Sequence, residues 1–155
     1  MLMRSLLIAT VIGLLGAAAQ AHAAGGARAA SPSQQEIDTG RLIYQQQCAA
    51  CHGVKGEGKP GWEKRDALGE LPPPPHDPTG HTWKHADAML YKTIRDGWRD
   101  PFNKTKRLTM PAYKDTLSPH EIRSVISYLK TLWTPEQRRI QREEGKRHLF
   151  PPEAR

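Results

Sequence analysis

Residues 48–52, with the sequence CAACH, bring the most reactive side chains of the chain close together. Cys48 and Cys51 are the only two cysteines among 155 residues, and His52 directly follows the second one. Two thiols beside an imidazole at this spacing fit three kinds of chemistry. They bind zinc, exchange a disulfide, or attach a haem.

The first two chemistries need neighbours that the sequence does not supply. A structural zinc site needs about four ligands, and the nearest suitable histidine pair, His81 and His85, lies far along the chain. A thioredoxin-like dithiol sits in a β-α-β pattern, whereas the residues before Cys48 are predicted to be helical. Zinc binding and disulfide exchange are therefore disfavoured.

Haem attachment explains every position of CAACH. Each cysteine thiol adds to one vinyl group of a porphyrin, and His52 is then held under the iron as an axial ligand. The two intervening alanines are small enough for the macrocycle to lie close to the backbone. The motif therefore predicts one covalently attached haem c, bound by Cys48, Cys51 and His52.

A haem iron bound by His52 has a second axial position, for which two methionines are candidates. Met89 falls on the apolar stripe of a predicted helix, where core packing explains it. Met110 precedes Pro111, which favours an extended backbone and a fixed presentation of the thioether. We therefore predict Met110 as the sixth ligand, with a second histidine or an open position as the alternatives. The other histidines after the N-terminal region are interpreted as surface or hydrogen-bonding residues: His76, His81, His85, His120 and His148.

The N-terminus has the three parts of a secretory signal peptide. Arg4 gives a positive start, residues 6–15 form an apolar run, and small residues with two A-x-A patterns follow. The apolar run is shorter than the ~20 residues that span a bilayer. We therefore predict a cleaved signal peptide, a periplasmic location, and no transmembrane span in the mature chain.

Three helices and two irregular segments are predicted for the rest of the chain. The first helix covers about 38–48 and the second about 84–95, and the segment between them is rich in glycine and proline. The clearest helix starts at Ser118, which forms a capping-box sequence with Glu121 ahead of a periodic apolar face. The charged residues 134–155 have little to bury and are expected to form a surface helix or to remain disordered.

Residues 37–133 of the chain resemble the class I (mono-haem) c-type cytochrome family. Gly40, Tyr44 and CAACHG have the spacing of that family's first helix, and SPHEIRSVISYLKTLW, from Ser118 onwards, has that of its last. The resemblance implies an all-α cytochrome c fold, in which three to five helices and long Gly/Pro-rich loops surround one covalently bound haem. It divides the chain into a signal peptide (1–23), a flexible N-terminus (24–36), a cytochrome c domain (37–133) and a charged C-terminal extension (134–155).

The resemblance also implies specific contacts. The first and last helices of the family cross closely, so Gly40 and Tyr44 are expected to meet Tyr128 or Leu129. The family's sixth ligand precedes a proline ahead of the last helix, as Met110 does. A carbonyl of the proline run, which here spans Pro72 to Pro75, is expected to orient the axial histidine. Apart from the resemblance, three residues are candidates for contacts with the haem propionates, and packing or surface roles explain each of them equally well: Trp83, Trp98 and Arg107.

The predicted function is single-electron transfer by Fe(II)/Fe(III) cycling, without enzymatic activity. With both axial positions filled by protein, a substrate has no direct route to the iron, and the sequence has no convincing Ser-His-Asp set. The alternatives are a haem protein with an open or labile sixth site, acting as a gas sensor or weak peroxidase, and a cytochrome subunit of a larger oxidoreductase complex. A thiol-disulfide protein without haem is a third interpretation.

The net charge of +7 favours partners of opposite charge. Basic residues concentrate around Met110, so we expect redox partners with acidic docking surfaces. Nucleic-acid binding is disfavoured because the chain has no recognition motif. The basic residues concerned are Lys92, Arg95, Arg99, Lys104, Lys106, Arg107 and Lys114.

Overall fold

The computed structural model describes residues 31–155. The predicted signal peptide, 1–23, lies outside these residues, as does most of the predicted flexible stretch 24–36. Within the described part, the regular structure consists of helices, together with one isolated bridge between Trp98 and Met110. The predicted all-α architecture is confirmed.

Two of the predicted helices, the second and the third, correspond closely to helices of the structure. The segment 53–81 contains no helix, as its glycine and proline content predicted. The helices are α1 (Gln34–Ile43), α2 (Ala49–His52), α3 (Asp87–Asp96), α4 (Pro119–Thr131) and α5 (Pro135–Gly145), with a π-helical turn at Tyr44–Cys48 and short 3-10 turns at Thr82–Lys84 and Pro152–Ala154.

Helix α4 begins where its capping residues place it. The Ser118 hydroxyl accepts a hydrogen bond from the backbone N–H of Glu121, and the Glu121 carboxylate accepts one from the backbone N–H of Ser118. Pro119 occupies the first turn, where a backbone N–H would have no helical partner. The predicted capping box is confirmed.

Helix α1 begins at Gln34, earlier than the predicted start near 38. Ser33 caps it by accepting a hydrogen bond from the backbone N–H of Glu36. The Glu36 carboxylate in turn accepts hydrogen bonds from Ser127 at 2.6 Å and from Arg123 at 3.2 Å, both on α4. These long-range contacts hold the first turn of α1, and they are invisible to a local sequence pattern.

Helices α1 and α4 cross in close contact. At Gly40 the two backbones approach so closely that an added Cβ would overlap the carbonyl oxygen of Ser124. One turn later, the ring of Tyr44 in the π-helical turn and the ring of Tyr128 on α4 lie 5.3 Å apart between centroids. The expected Tyr44–Tyr128 contact is confirmed. Gly40 itself meets Ser124 and Val125 on α4, one turn before the expected Tyr128 or Leu129.

The variant Gly40→Ala is expected to lower the free energy of unfolding by about 1–3 kcal/mol, because the added methyl group forces α1 and α4 apart. Gly145→Ala is the matched control, since nothing lies within 4 Å of its new Cβ. That change should be neutral or stabilising by up to ~1 kcal/mol. Guanidinium unfolding followed by circular dichroism compares the two variants, and equal stabilities would contradict a tight crossing.

Helix α3 buries the apolar stripe Ala86, Leu90 and Ile94. Met89, which was assigned to the same stripe, is 46% exposed and faces a cavity instead. Leu90 lines the same cavity but is only 8% exposed, so Met89 lies at the edge of the buried stripe and Leu90 within it. The core-packing explanation for Met89 is wrong.

The C-terminal extension is helical and packs onto the domain. Thr134 and Gln137 form a second capping box at the start of α5. The buried Gln141 donates a hydrogen bond to the Asp87 carboxylate at 2.7 Å and so ties α5 to the start of α3. Of the two outcomes expected for this extension, the surface helix is the one observed.

Candidate cofactor site

A cavity of about 520 Å³ lies beside the CAACH segment. Cys48, Cys51 and His52 line it, and Met110 lines it from a distant part of the chain. Its volume falls within the roughly 300–1,000 Å³ of small-molecule and cofactor sites, and most of its other lining residues are apolar or aromatic. The fold therefore brings all four predicted site residues together around one space.

The CAACH segment reaches the cavity after a change in helical geometry. Helix α1 widens into the π-helical turn Tyr44–Cys48 before α2 begins. Such a turn rotates the following residues around the helix axis, and π-helical turns occur frequently at functional sites. The buried Tyr44 donates a hydrogen bond to the Gly53 carbonyl at 2.8 Å, which fixes the end of α2.

The imidazole of His52 is buried and held by a single backbone contact. Its Nδ1 lies 2.9 Å from the Pro74 carbonyl oxygen, which accepts the hydrogen bond. Burial lowers the pKa of His52 and favours the neutral ring. With the proton on Nδ1, the Nε2 lone pair is available to a metal. Among the four prolines that the sequence left open, the structure identifies Pro74 as the hydrogen-bond acceptor.

His76 stacks on His52, with ring centroids 4.1 Å apart and an interplanar angle of 27°. Its Nδ1 lies 2.8 Å from the Thr82 hydroxyl, which itself donates to the Pro75 carbonyl. Burial, followed by the charges of the neighbouring histidines, lowers the pKa of His76 well below its usual value. A hydrogen-bonding role was expected for His76, but its contact with His52 was missed. The proline run immediately before His76 was expected to contact His52, and it was therefore the sequence feature that could have placed His76 near that ring.

Met110 is fixed by the backbone of its own loop. Two hydrogen bonds join Trp98 and Met110, from the N–H of each to the carbonyl of the other, at 3.0 and 2.9 Å. This bridge closes the loop 98–110 and places the Met110 side chain on the cavity wall. Met89 also lines the cavity from α3, so the bridge and the following Pro111 distinguish the two methionines.

The environment of Cys48 does not favour its thiolate. Burial, followed by the charge of the nearby Cys51, raises the pKa of Cys48 to about 11. Reactive dithiols instead have a lowered pKa that populates the thiolate near neutral pH. The burial of Cys48 and its raised pKa therefore disfavour a thiol-disulfide exchange site.

The polar side chains at the cavity differ in part from those expected. Of the three candidates for propionate contacts, Trp98 lines the cavity. Trp83 donates its indole N–H to a backbone carbonyl, and Arg107 pairs with Glu70. Arg65 also lines the cavity. The sequence did not indicate it as a site residue, because its neighbours in the cavity come from distant segments.

The groups around the cavity fit haem c. Covalent attachment requires two thiols at the CxxC spacing, and the iron takes ligands such as a neutral imidazole nitrogen and a thioether sulfur. Cys48, Cys51, His52 and Met110 offer this donor set to one largely apolar space. The residues present therefore match this cofactor in both chemistry and size.

Comparison with known proteins agrees with the geometry. The family model described as Cytochrome c matches residues 37–133, more than half of the chain. The cofactor of that family is haem c, attached covalently through a cysteine pair. Neither a curated protein nor a solved structure matches the chain.

Proposed function

Because the chain belongs to the cytochrome c family, whose typical activity is haem-based electron transfer, we propose that it carries single electrons between redox proteins and is not an enzyme. Haem c, when bound, supplies a one-electron Fe(II)/Fe(III) couple. The observation that supports this proposal most directly is the convergence of two thiols, an imidazole and a thioether on one cavity.

Cys48 and Cys51 are the proposed attachment points. They would hold the porphyrin through two thioether bonds, one from each sulfur to a former vinyl group. The thiol hydrogen would be retained on the second vinyl carbon, so that attachment would need no oxidant or reductant. The resulting thioethers are no longer thiols that an oxidising compartment would convert to disulfides.

His52 and Met110 are the proposed axial ligands. The Pro74 carbonyl holds the His52 ring in one orientation and one tautomer. A thioether together with an imidazole would favour Fe(II) and raise the reduction potential of a bound haem. Because both ligands would come from the protein, a substrate would have no direct route to the metal, which suits electron transfer.

The proposed location is the periplasm. The signal-peptide pattern of residues 1–23 supports export. Within residues 31–155, no helix is both long enough and apolar enough to cross a bilayer. We propose that the mature protein meets its redox partners on the outer side of the inner membrane.

Positive charge near Met110 supports docking to an acidic partner. Of the seven basic residues in this region, Lys92 and Arg95 pair with Asp96, and Arg107 pairs with Glu70. The other four form no ion pair within the described chain, so their charge remains available to attract an acidic surface. These four residues are Arg99, Lys104, Lys106 and Lys114.

Electron exchange with small charged reagents tests this proposal. Oxidation of the reduced holoprotein by anionic ferricyanide is expected to slow by about tenfold as ionic strength rises from ~0.01 to ~0.5 M, because salt screens the attraction. Stopped-flow absorbance of the haem measures the rate. A cationic cobalt complex is the control oxidant, and its rate should rise or stay constant with salt. Identical salt dependence for both oxidants would contradict steering by these cations.

Mixing the reduced holoprotein with carbon monoxide distinguishes the proposed electron carrier from a haem protein with an open or labile sixth site. A reduced protein with Met110 on the iron should not bind carbon monoxide on the timescale of mixing. Immediate binding would instead support a gas sensor or weak peroxidase.

A further inference from the structure

Two ion pairs join the segment 65–70 to the loop 98–110, which ends at Met110. They are Arg65–Asp100 and Glu70–Arg107. We propose that these pairs form a clasp that positions the loop and determines how firmly Met110 holds the sixth coordination position. This inference rests on the proposed axial role of Met110, and it assigns a function to four charged side chains outside the donor set.

The first ion pair joins a buried carboxylate to a partly exposed guanidinium. Nη1 of Arg65 donates to the Asp100 carboxylate at 2.7 Å, and the Asp100 side chain is only 5% exposed. The same nitrogen donates to the Gly69 carbonyl at 2.6 Å, and the guanidinium lies 4.4 Å from the centre of the Phe102 ring. Arg65 therefore holds both its own segment and the Met110 loop.

The second ion pair compensates a buried carboxylate. Nη2 of Arg107 lies 2.5 Å from Oε2 of Glu70, whose side chain is 8% exposed. The other carboxylate oxygen, Oε1, is buried and has no hydrogen-bond partner in the described chain. Arg107 is thus the cation that balances the Glu70 charge. Removing Arg107 would leave the buried Glu70 carboxylate without the cation that balances its charge, which is destabilising.

The backbones of the two segments also fit closely. The N–H of Lys104 donates to the Leu68 carbonyl at 3.0 Å. Gly69 has a φ of 80°, and a Cβ at that position would overlap the Phe102 carbonyl oxygen. The clasp therefore acts across a tight interface and not between two loosely facing loops.

Contacts inside the loop connect the clasp to Met110. The backbone N–H of Asp100 donates to the Thr109 hydroxyl at 3.1 Å, which reaches the residue before Met110. The side-chain amide of Asn103 donates to the backbone carbonyl of Arg107 at 3.2 Å. When the clasp is intact, displacing Met110 means moving a braced loop. Without the two ion pairs, the Lys104–Leu68 hydrogen bond and the Trp98–Met110 bridge remain as backbone restraints, and the charged contacts that brace the loop between them are lost.

Competition by imidazole measures this restraint. A foreign ligand binds the iron only when Met110 has left, so its apparent affinity rises in proportion to the population of the open state. In the ferric holoprotein, Asp100→Asn and Arg107→Gln are each expected to lower the apparent Kd for imidazole by at least about tenfold. A tenfold change corresponds to about 1.4 kcal/mol.

The matched control for Asp100→Asn is Glu36→Gln, which removes one negative charge from a partly buried pair between α1 and α4. Its imidazole affinity should stay within about twofold of that of the parent. Guanidinium unfolding of every variant shows whether a change is local or global. Should Asp100→Asn fail to fold, Arg107→Gln still tests the clasp, since the Arg107 side chain is 60% exposed.

Three results would overturn the clasp. Unchanged imidazole affinity in both folded clasp variants would contradict it directly. An equal shift in Glu36→Gln would show that loss of global stability, and not the clasp, loosens Met110. A parent protein whose spectrum lacks the sulfur-to-iron charge-transfer band would contradict the proposed axial ligation itself, together with the clasp that depends on it.

Discussion

Replacement of both Cys48 and Cys51 by serine is expected to abolish covalent haem attachment completely. A serine hydroxyl does not form the thioether, and these are the only two cysteines in the chain. The cavity of about 520 Å³ would then depend on His52 and Met110 alone to retain the cofactor. We expect little holoprotein to accumulate, because a bound cofactor stabilises the folded state and the variant would lose much of that stabilisation.

Expression in a host that matures c-type cytochromes, followed by acidified-acetone extraction, measures this effect. The parent should keep its red colour in the polypeptide fraction, and the double variant should lose it. Ala50→Ser is the matched control, because it adds the same hydroxyl at an exposed position between the two cysteines. Haem that stays with the double variant after extraction would contradict attachment through these cysteines.

The variant Met110→Ala is expected to lower the reduction potential by on the order of 0.1 V, a modest part of the ~0.8 V range that axial ligands span. Loss of the thioether removes the ligand that favours Fe(II). It also opens the sixth position, so the reduced variant should bind carbon monoxide where the parent does not. The sulfur-to-iron charge-transfer band of the ferric protein should disappear at the same time.

Spectroelectrochemical titration and carbon monoxide difference spectra measure both effects. Met89→Leu is the control, since Met89 lines the same cavity and was the competing methionine. It should retain the parent's band and potential. If Met89→Leu loses the band while Met110→Ala keeps it, the ligand assignment is reversed.

Much of the helical framework could be read from local sequence. Ser118 and Glu121 lie three residues apart, and their capping box forms as predicted. The periodic apolar residues of α3 and α4 are buried, with Met89 as the exception. Short-range patterns succeed here because the interactions that they describe act within one or two helical turns. The chemistry of CAACH is local for the same reason.

Features that depend on the loops could not be predicted in the same way. The stacking of His76 on His52 joins residues 24 positions apart. The Arg65–Asp100 pair joins residues 35 positions apart, in segments without periodicity. The C-terminal extension looked too polar to pack, yet Gln141 is buried against the start of α3. None of these contacts leaves a repeating pattern in the chain.

The sequence by itself determined the cofactor chemistry and the helical class, since both depend on residue types at short, fixed spacings. The tertiary structure alone decided which proline carbonyl orients His52, which charged side chains brace the Met110 loop, and how the extension docks. The physical reason is that a buried charge or a buried ring is stable only with partners that the whole fold brings to it. Those partners come from segments whose distance along the chain carries no local signal.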